Sequence, residues 1–229
     1  MTNFFASILK GIYDVIGNYG ISIIVFTIII RLALLPLTIS QKKSMEKTKK
    51  INPMMAELKK KYGNDKQTYN QKLAELYKKE KINPLSGCLP LLIQIPIIYV
   101  LFGIFRNAHK YLPAEALTQK FLWLPNMVDP DTLSNIIPGV DLLKSLPGLL
   151  PIIAALFTYL SVKRNSVQTQ SSGNKGPNMG FMSIMFPGLI LVFGASYSAG
   201  LIMYWGVSNI IQYVQDIFIT KLMNKEQVR

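Results

Sequence analysis

The sequence predicts an all-α integral membrane protein of five transmembrane helices, with a cytoplasmic helical hairpin and an N-terminal interfacial amphipathic helix. Three observations predict it. Half of the 229 residues are hydrophobic, and the mean hydropathy is +0.28. The apolar residues gather into runs near the roughly 20 residues that a helical bilayer crossing needs. The net charge of +13 collects between alternate runs, which is how a membrane protein distributes its cytoplasmic charge. A soluble nucleic-acid-binding domain would bring that charge together as a patch. Here apolar runs interrupt it, so DNA is not an expected partner.

The same composition excludes several function classes. There is one cysteine, Cys88, and one histidine, His109. Disulfide frameworks and Cys/His metal sites are therefore ruled out within one chain. The lone histidine serves no convincing nucleophile–base–acid triad, and there is no phosphate-cradling glycine loop. The expectation is a non-enzyme that needs no cofactor and no metal.

Residues 1–19 place Phe4, Phe5, Ile8, Leu9, Ile12, Tyr13 and Ile16 at helical spacing, with Lys10 and Asp14 on the other face. This pattern predicts an amphipathic helix on the outer membrane surface. It has no basic leader and no small-residue cleavage site, so it is not read as a signal peptide. The first span covers 20–40. Within it Thr27, Arg31, Leu34 and Thr38 share one stripe, and Pro36 predicts a kink by removing its bond to the Leu32 carbonyl.

Residues 41–84 carry thirteen lysines against five acids and predict a basic cytoplasmic helical hairpin. Asn52-Pro53 reads as a cap and first-turn proline, Tyr62-Gly63-Asn64-Asp65 as the turn, and Asn83-Pro84 as a second cap. The second span is 85–105. Its strongly polar residue is Gln94, between Pro90 and Pro96, which either bonds a neighbouring helix or lines a polar cavity.

The loop 106–145 balances its charges and holds Trp123, prolines and short apolar turns that suggest interfacial pieces. A third span follows at 146–162, then a Gln/Ser/Gly-rich linker at 163–178. The apolar stretch beyond is twice one crossing. It divides at the small residues near 196 into spans 179–195 and 199–220, ahead of a basic tail at 221–229. The basic segments alternate with the neutral ones only if the N-terminus lies outside and the C-terminus in the cytoplasm.

Arg31 is the anomaly. It sits about 15 Å from either end of its span, by about 1.5 Å of rise per residue. An arginine there costs about 2.5–3.5 kcal/mol on insertion scales. No carboxylate occurs between Asp14 and Glu46, between Glu80 and Glu115, or between Asp141 and Asp216. Every span interior thus lacks an acid, and Asp216 belongs near the cytoplasmic end of its helix. A dry core does not tolerate an unpaired guanidinium. Arg31 must therefore bond carbonyls freed by the kinks, or face a hydrated cavity with Thr27, Gln94, Tyr204, Trp205 and Ser208.

Several motifs resemble one family. The arginine four residues after Thr27, the block INPMMAELKKKYGNDKQTYNQKLAELYKKEKINPLSGCLPLLIQIPIIYVLF and the closing LIMYWGVSNIIQYVQ are similar to the YidC/Oxa/Alb membrane protein insertases, over essentially the whole chain. The resemblance implies a cell-membrane insertase and chaperone that needs no nucleotide. It implies nascent membrane proteins, the ribosome, the Sec translocon and the lipid bilayer as partners. It further implies a hydrophilic groove, closed on the outside, in which Arg31 is the essential arginine and Thr27 lies one turn before it. Tyr204 and Trp205 match the family's substrate-contacting aromatic pair, and Gln94 lies within the matching second-span motif. The chain lacks the large external domain of Gram-negative members and resembles the shorter Gram-positive type. Members of that type often begin with a lipoprotein signal and cysteine, which residues 1–19 do not show, so a different N-terminal arrangement and a removed segment both stay open. The short tail puts a strong C-terminal ribosome tether in question. The rival reading is a small-anion transporter or channel with Arg31 as the binding group. Against it, five spans do not divide into inverted repeats.

Overall fold

A computed structural model describes residues 2–82, 89–166 and 179–227, with backbone alone at 89–93, 165–166, 179–183, 224 and 226–227. These residues form ten α-helices and two 3-10 turns, and no strand is found among them. The chain begins with α1 (Thr2–Ile16) and α2 (Tyr19–Ala33), joined at Gly17, whose φ of +69° suits a residue without a side chain. Asn18 caps α2 by accepting a bond from the Ile21 N–H at 3.0 Å. Buried Ala6, Leu9 and Tyr13 turn one face of α1 onto α2 and the core, while Phe4 and Val15 stay exposed.

The kink expected at Pro36 is a bend of 55° between α2 and α3 (Leu35–Tyr62). Pro36 stands in the first turn of α3, where its missing N–H costs nothing. Leu34 closes the preceding helix by donating to the Ile30 carbonyl at 3.0 Å. The expected cap at Asn52-Pro53 is absent. The helix α3 runs through Pro53 without a break, and Asn52 is buried. An internal proline costs about 3 kcal/mol. Packing offsets that here: Ile51 and Met55 are buried with Tyr69, Leu73 and Ile82 in a small core between α3 and α4 (Lys66–Lys79). The turn at Gly63 falls where expected. Asp65 caps α4 by accepting from the N–H groups of Gln67 and Thr68 and from the Thr68 hydroxyl at 2.6 Å. Asn83-Pro84 lies outside the described residues.

Helix α5 (Leu89–Arg106) lies on the expected second span. The loop beyond it holds the short helices α6 (Ala108–Tyr111) and α7 (Ala114–Leu117) and 3-10 turns at Leu133–Asn135 and Asp141–Ser145. Helix α8 (Leu149–Ser166) carries Lys163 and Arg164 in its last turn, two residues read from sequence as linker. Most of that linker lies outside the described residues. Helix α9 (Met179–Gly194) and α10 (Ala199–Gln227) are separated at the predicted turn, and α10 continues through Lys221 and Lys225. No single helix among the described residues is long and apolar enough to cross a membrane alone, whereas the bent pair α2–α3 is.

The main core is built around α10. Tyr204, Met203 and Leu201 are buried with Phe26 and Ile23 of α2, Leu101 and Ile104 of α5, and Ala154 of α8. Gly206 lets α10 approach Ala154 closely, because a β-carbon there would lie 3.4 Å from the Ala154 methyl. The long loop is sewn to the N-terminal ends of α2 and α10. Gln119 accepts from the Tyr19 N–H and donates to the Gly17 carbonyl, each at 2.7 Å. The N–H groups of Ala199 and Gly200 donate to the carbonyls of Asp129 and Met127. The whole loop therefore sits at the end of the bundle opposite the basic hairpin.

Candidate functional site

Helical spacing places Thr27 and Arg31 one above the other on α2, and Tyr204 and Ser208 likewise on α10. The two helices pack with these stripes face to face. The Arg31 Nε–H donates to the Ser208 hydroxyl at 2.8 Å, joining residues 177 apart in the chain. Thr27 is wholly buried, and its hydroxyl donates to the Ile23 carbonyl at 2.6 Å, so it adds a dipole without bonding Arg31. Tyr204 and Ser208 are buried, and Arg31 itself is only 8% exposed. Trp205 is half-buried against the main core. Gln94 is half-buried on α5 and makes no hydrogen bond to Arg31 or Ser208 among the described residues. Arg31 and Thr27 of α2 and Tyr204 and Ser208 of α10 thus share the seam between these helices, whereas no described contact joins Trp205 or Gln94 to Arg31.

A guanidinium carries five N–H donors. Ser208 takes one, and neither Nη group has a hydrogen-bond partner among the described residues. No ion pair to Arg31 occurs among them either. The buried positive charge is therefore met by a neutral hydroxyl.

Two features escaped sequence reasoning. Asp216, expected near the cytoplasmic end of its helix, is buried there, and its carboxylate lies 3.8 Å from the Lys42 ammonium with both side chains nearly inaccessible. It stands eight residues beyond Ser208, about 12 Å along the helix. Burial pushes the Lys42 ammonium below its ordinary value, and Asp216 opposes that push. The only signal in the sequence was that Asp216 is the sole acid between Asp141 and Glu226. The second feature is Asp131, wholly buried at the other end of the bundle. Its carboxylate accepts from the Leu150 N–H at 2.7 Å, the Trp123 indole at 3.2 Å and the Asn135 amide at 3.2 Å. It caps α8 and closes the loop over that end. Asn209, one residue beyond Ser208, points to α8, where it donates to Thr158 at 2.8 Å.

An all-helical bundle with broad exposed apolar surface around a buried, hydroxyl-bound arginine fits the class of helical membrane proteins. The comparisons with known proteins carry this further. The family model described as "60Kd inner membrane protein" matches residues 11–226, and the chain belongs to that family. It is 36% identical to the membrane protein insertase YidC of Fusobacterium nucleatum, over 96% of this chain and 95% of that one. With the membrane protein insertase YidC of Clostridium perfringens it shares 35% identity, over 100% and 93%. A YidC of Janthinobacterium is 37% identical over 93% of this chain but only 36% of that longer protein. Among solved structures it is similar to the crystal structure of an active YidC insertase with its first transmembrane domain resolved. The TM-score is 0.64 at 26% identity, over 93% of this chain and 44% of the other.

Proposed function

We propose that this protein is a membrane insertase and chaperone that receives nascent membrane proteins through a polar site between α2 and α10. The observation that carries the reading is Arg31, buried yet bonded to a neutral hydroxyl, with its Nη groups left for an incoming anion. The family and the named relatives support the same reading. In it α2, α5, α8, α9 and α10 supply the five spans, with the loop 106–145 outside and the basic hairpin and C-terminus in the cytoplasm. The hairpin meets the ribosome, a targeting factor or anionic lipid and brings the client near the membrane.

The mechanism follows from electrostatics. A guanidinium held at Nε presents its other end for two parallel bonds to a carboxylate. An acidic extracellular segment of the client is drawn to Arg31 because Coulomb attraction is stronger here than in bulk water. Tyr204, Trp205 and Gln94 border its path. Arg31 is largely buried in this structure, and the client's carboxylate reaches it as water and the acidic segment enter the groove beside its Nη groups. The client's apolar helix then leaves into lipid, and burial at about 25 cal/mol per Å² supplies the drive without a nucleotide.

Reconstitution of the purified chain into liposomes, followed by insertion of one client with an acidic tail, tests the reading. Insertion above that of protein-free liposomes is expected. Anion flux without insertion would establish the transporter instead.

A further inference from the structure

The long loop carries a surface that insertion does not use. Residues 133–146 form a flap whose two ends are pinned together. The Leu133 N–H donates to the Leu146 carbonyl at 3.1 Å, and Thr132 bridges to Pro147. The Gly148 N–H donates to the Asp131 carbonyl at 2.9 Å, and the buried Asp131 carboxylate ties this base to the first turn of α8. A flap built around two 3-10 turns and closed at its base holds its shape without a partner.

Its outward side chains are apolar. Ile136, Ile137, Val140, Leu142 and Leu146 are all exposed, Leu142 at 73%. The two charges of the tip cancel: Lys144 lies 2.6 Å from Asp141, and both side chains stand in the open. Water is a poor environment for such a surface, and soluble monomers rarely show one. The apolar surface does not stop at the flap. Leu149, Ile152 and Leu156 are exposed at spacings of three and four along α8, forming a stripe that begins where the flap ends. In a membrane protein that stripe faces acyl chains, and the flap continues it toward the headgroups.

We infer that the 133–146 flap is an interfacial anchor, seated by Ile137, Leu142 and their neighbours in the headgroup–acyl boundary of the outer leaflet. Its partner is lipid rather than a second protein. The surface carries no net charge and is continuous with a stripe already turned to lipid. Because Asp131 joins the flap to α8, the anchor sets the depth of that helix. The inference rests on the proposed topology, in which this loop lies outside.

The test uses the full chain with Cys88→Ser, so that one introduced cysteine carries an environment-sensitive fluorophore. Leu142→Cys, Ile137→Cys and Lys144→Cys are labelled separately and reconstituted, and each labelled protein is required to insert a client. Labels at 142 and 137 are expected to emit at shorter wavelength, to be quenched by lipids brominated high on the acyl chain and to resist aqueous iodide. The label at 144 is expected to be quenched by iodide. Iodide quenching at all three positions overturns the anchor. So does shielding at 142 that varies with protein density and ignores brominated lipid, since that outcome assigns the surface to another copy. Sidedness is read independently with a membrane-impermeant maleimide on Lys144→Cys in intact cells. Reaction only after permeabilisation refutes the topology and its outer-leaflet assignment, while bromolipid quenching alone decides lipid contact.

Discussion

Replacing Asp216 with asparagine removes a buried anion beside Lys42 while preserving its shape. At 3.8 Å and an effective dielectric near 20, the pair attracts by about 4 kcal/mol. Breaking a buried pair by deleting one partner costs about 3–5 kcal/mol, because the remaining charge is stranded. At about 2–4 °C per kcal/mol for a chain of this size, Asp216→Asn lowers the unfolding midpoint by roughly 10 °C. Intrinsic fluorescence of Trp123 and Trp205 during thermal unfolding in detergent is the assay. A double variant, Lys42→Met with Asp216→Leu, removes both charges and is expected to recover most of the loss. The pH dependence carries a sign. Burial holds the folded Lys42 pKa below the 10.5 of the unfolded chain, so the unfolded state binds more protons between the two values and stability rises with pH across that window. In Asp216→Asn the stronger of two opposing anions is gone and Glu46 remains, so the folded value falls further, and the rise is larger and begins at lower pH. Equal midpoints for wild type, single and double variants would refute the buried pair as a structural clasp.

Three further outcomes follow from the geometry. Ser208→Ala removes the hydroxyl that holds Arg31 and should cost about 1.5–3 kcal/mol, the range for a hydrogen bond to a charged group. It should slow insertion of acidic-tailed clients less than loss of Arg31 does, measured in proteoliposomes. Asp131→Ala leaves the Leu150 N–H buried without its acceptor, so a loss of about 1–3 kcal/mol is expected, read as faster proteolysis of the 106–145 loop. Asp65→Ala uncaps α4 and should reduce hairpin protection in hydrogen exchange. Thr68 holds the Asp65 carboxyl below its ordinary value, so wild-type hairpin protection should persist above about pH 4 and fade as acid protonates this group.

Local punctuation made much of the fold legible. Pro36, Gly63-Asn64-Asp65 and the small residues at 194–199 end helices because backbone chemistry there admits few alternatives. The Thr27–Arg31 and Tyr204–Ser208 stripes were legible because spacing alone decides which face a residue occupies. Pro53 was misread for the opposite reason. Its local meaning as a helix start lost to the packing of Ile51 and Met55 against α4, which no local pattern reports. Lys42 with Asp216 was illegible in the same way, since a contact between α3 and α10 depends on the 55° bend at Leu34. Asn209 shows the limit of stripe reasoning. One residue from Ser208, it turns through about 100° and belongs to the seam with α8.

The most direct test of the central claim pairs Arg31 variants with client charge. Arg31→Ala and Arg31→Lys are compared with wild type in proteoliposomes, using one client whose extracellular tail is acidic and the same client with that tail neutralised. If Arg31 receives the client's carboxylate, Arg31→Ala impairs the acidic client, Arg31→Lys retains part of its insertion, and the neutral client depends little on either change. Intact insertion of both clients by Arg31→Ala, with loss of both in Arg31→Lys, would contradict the claim.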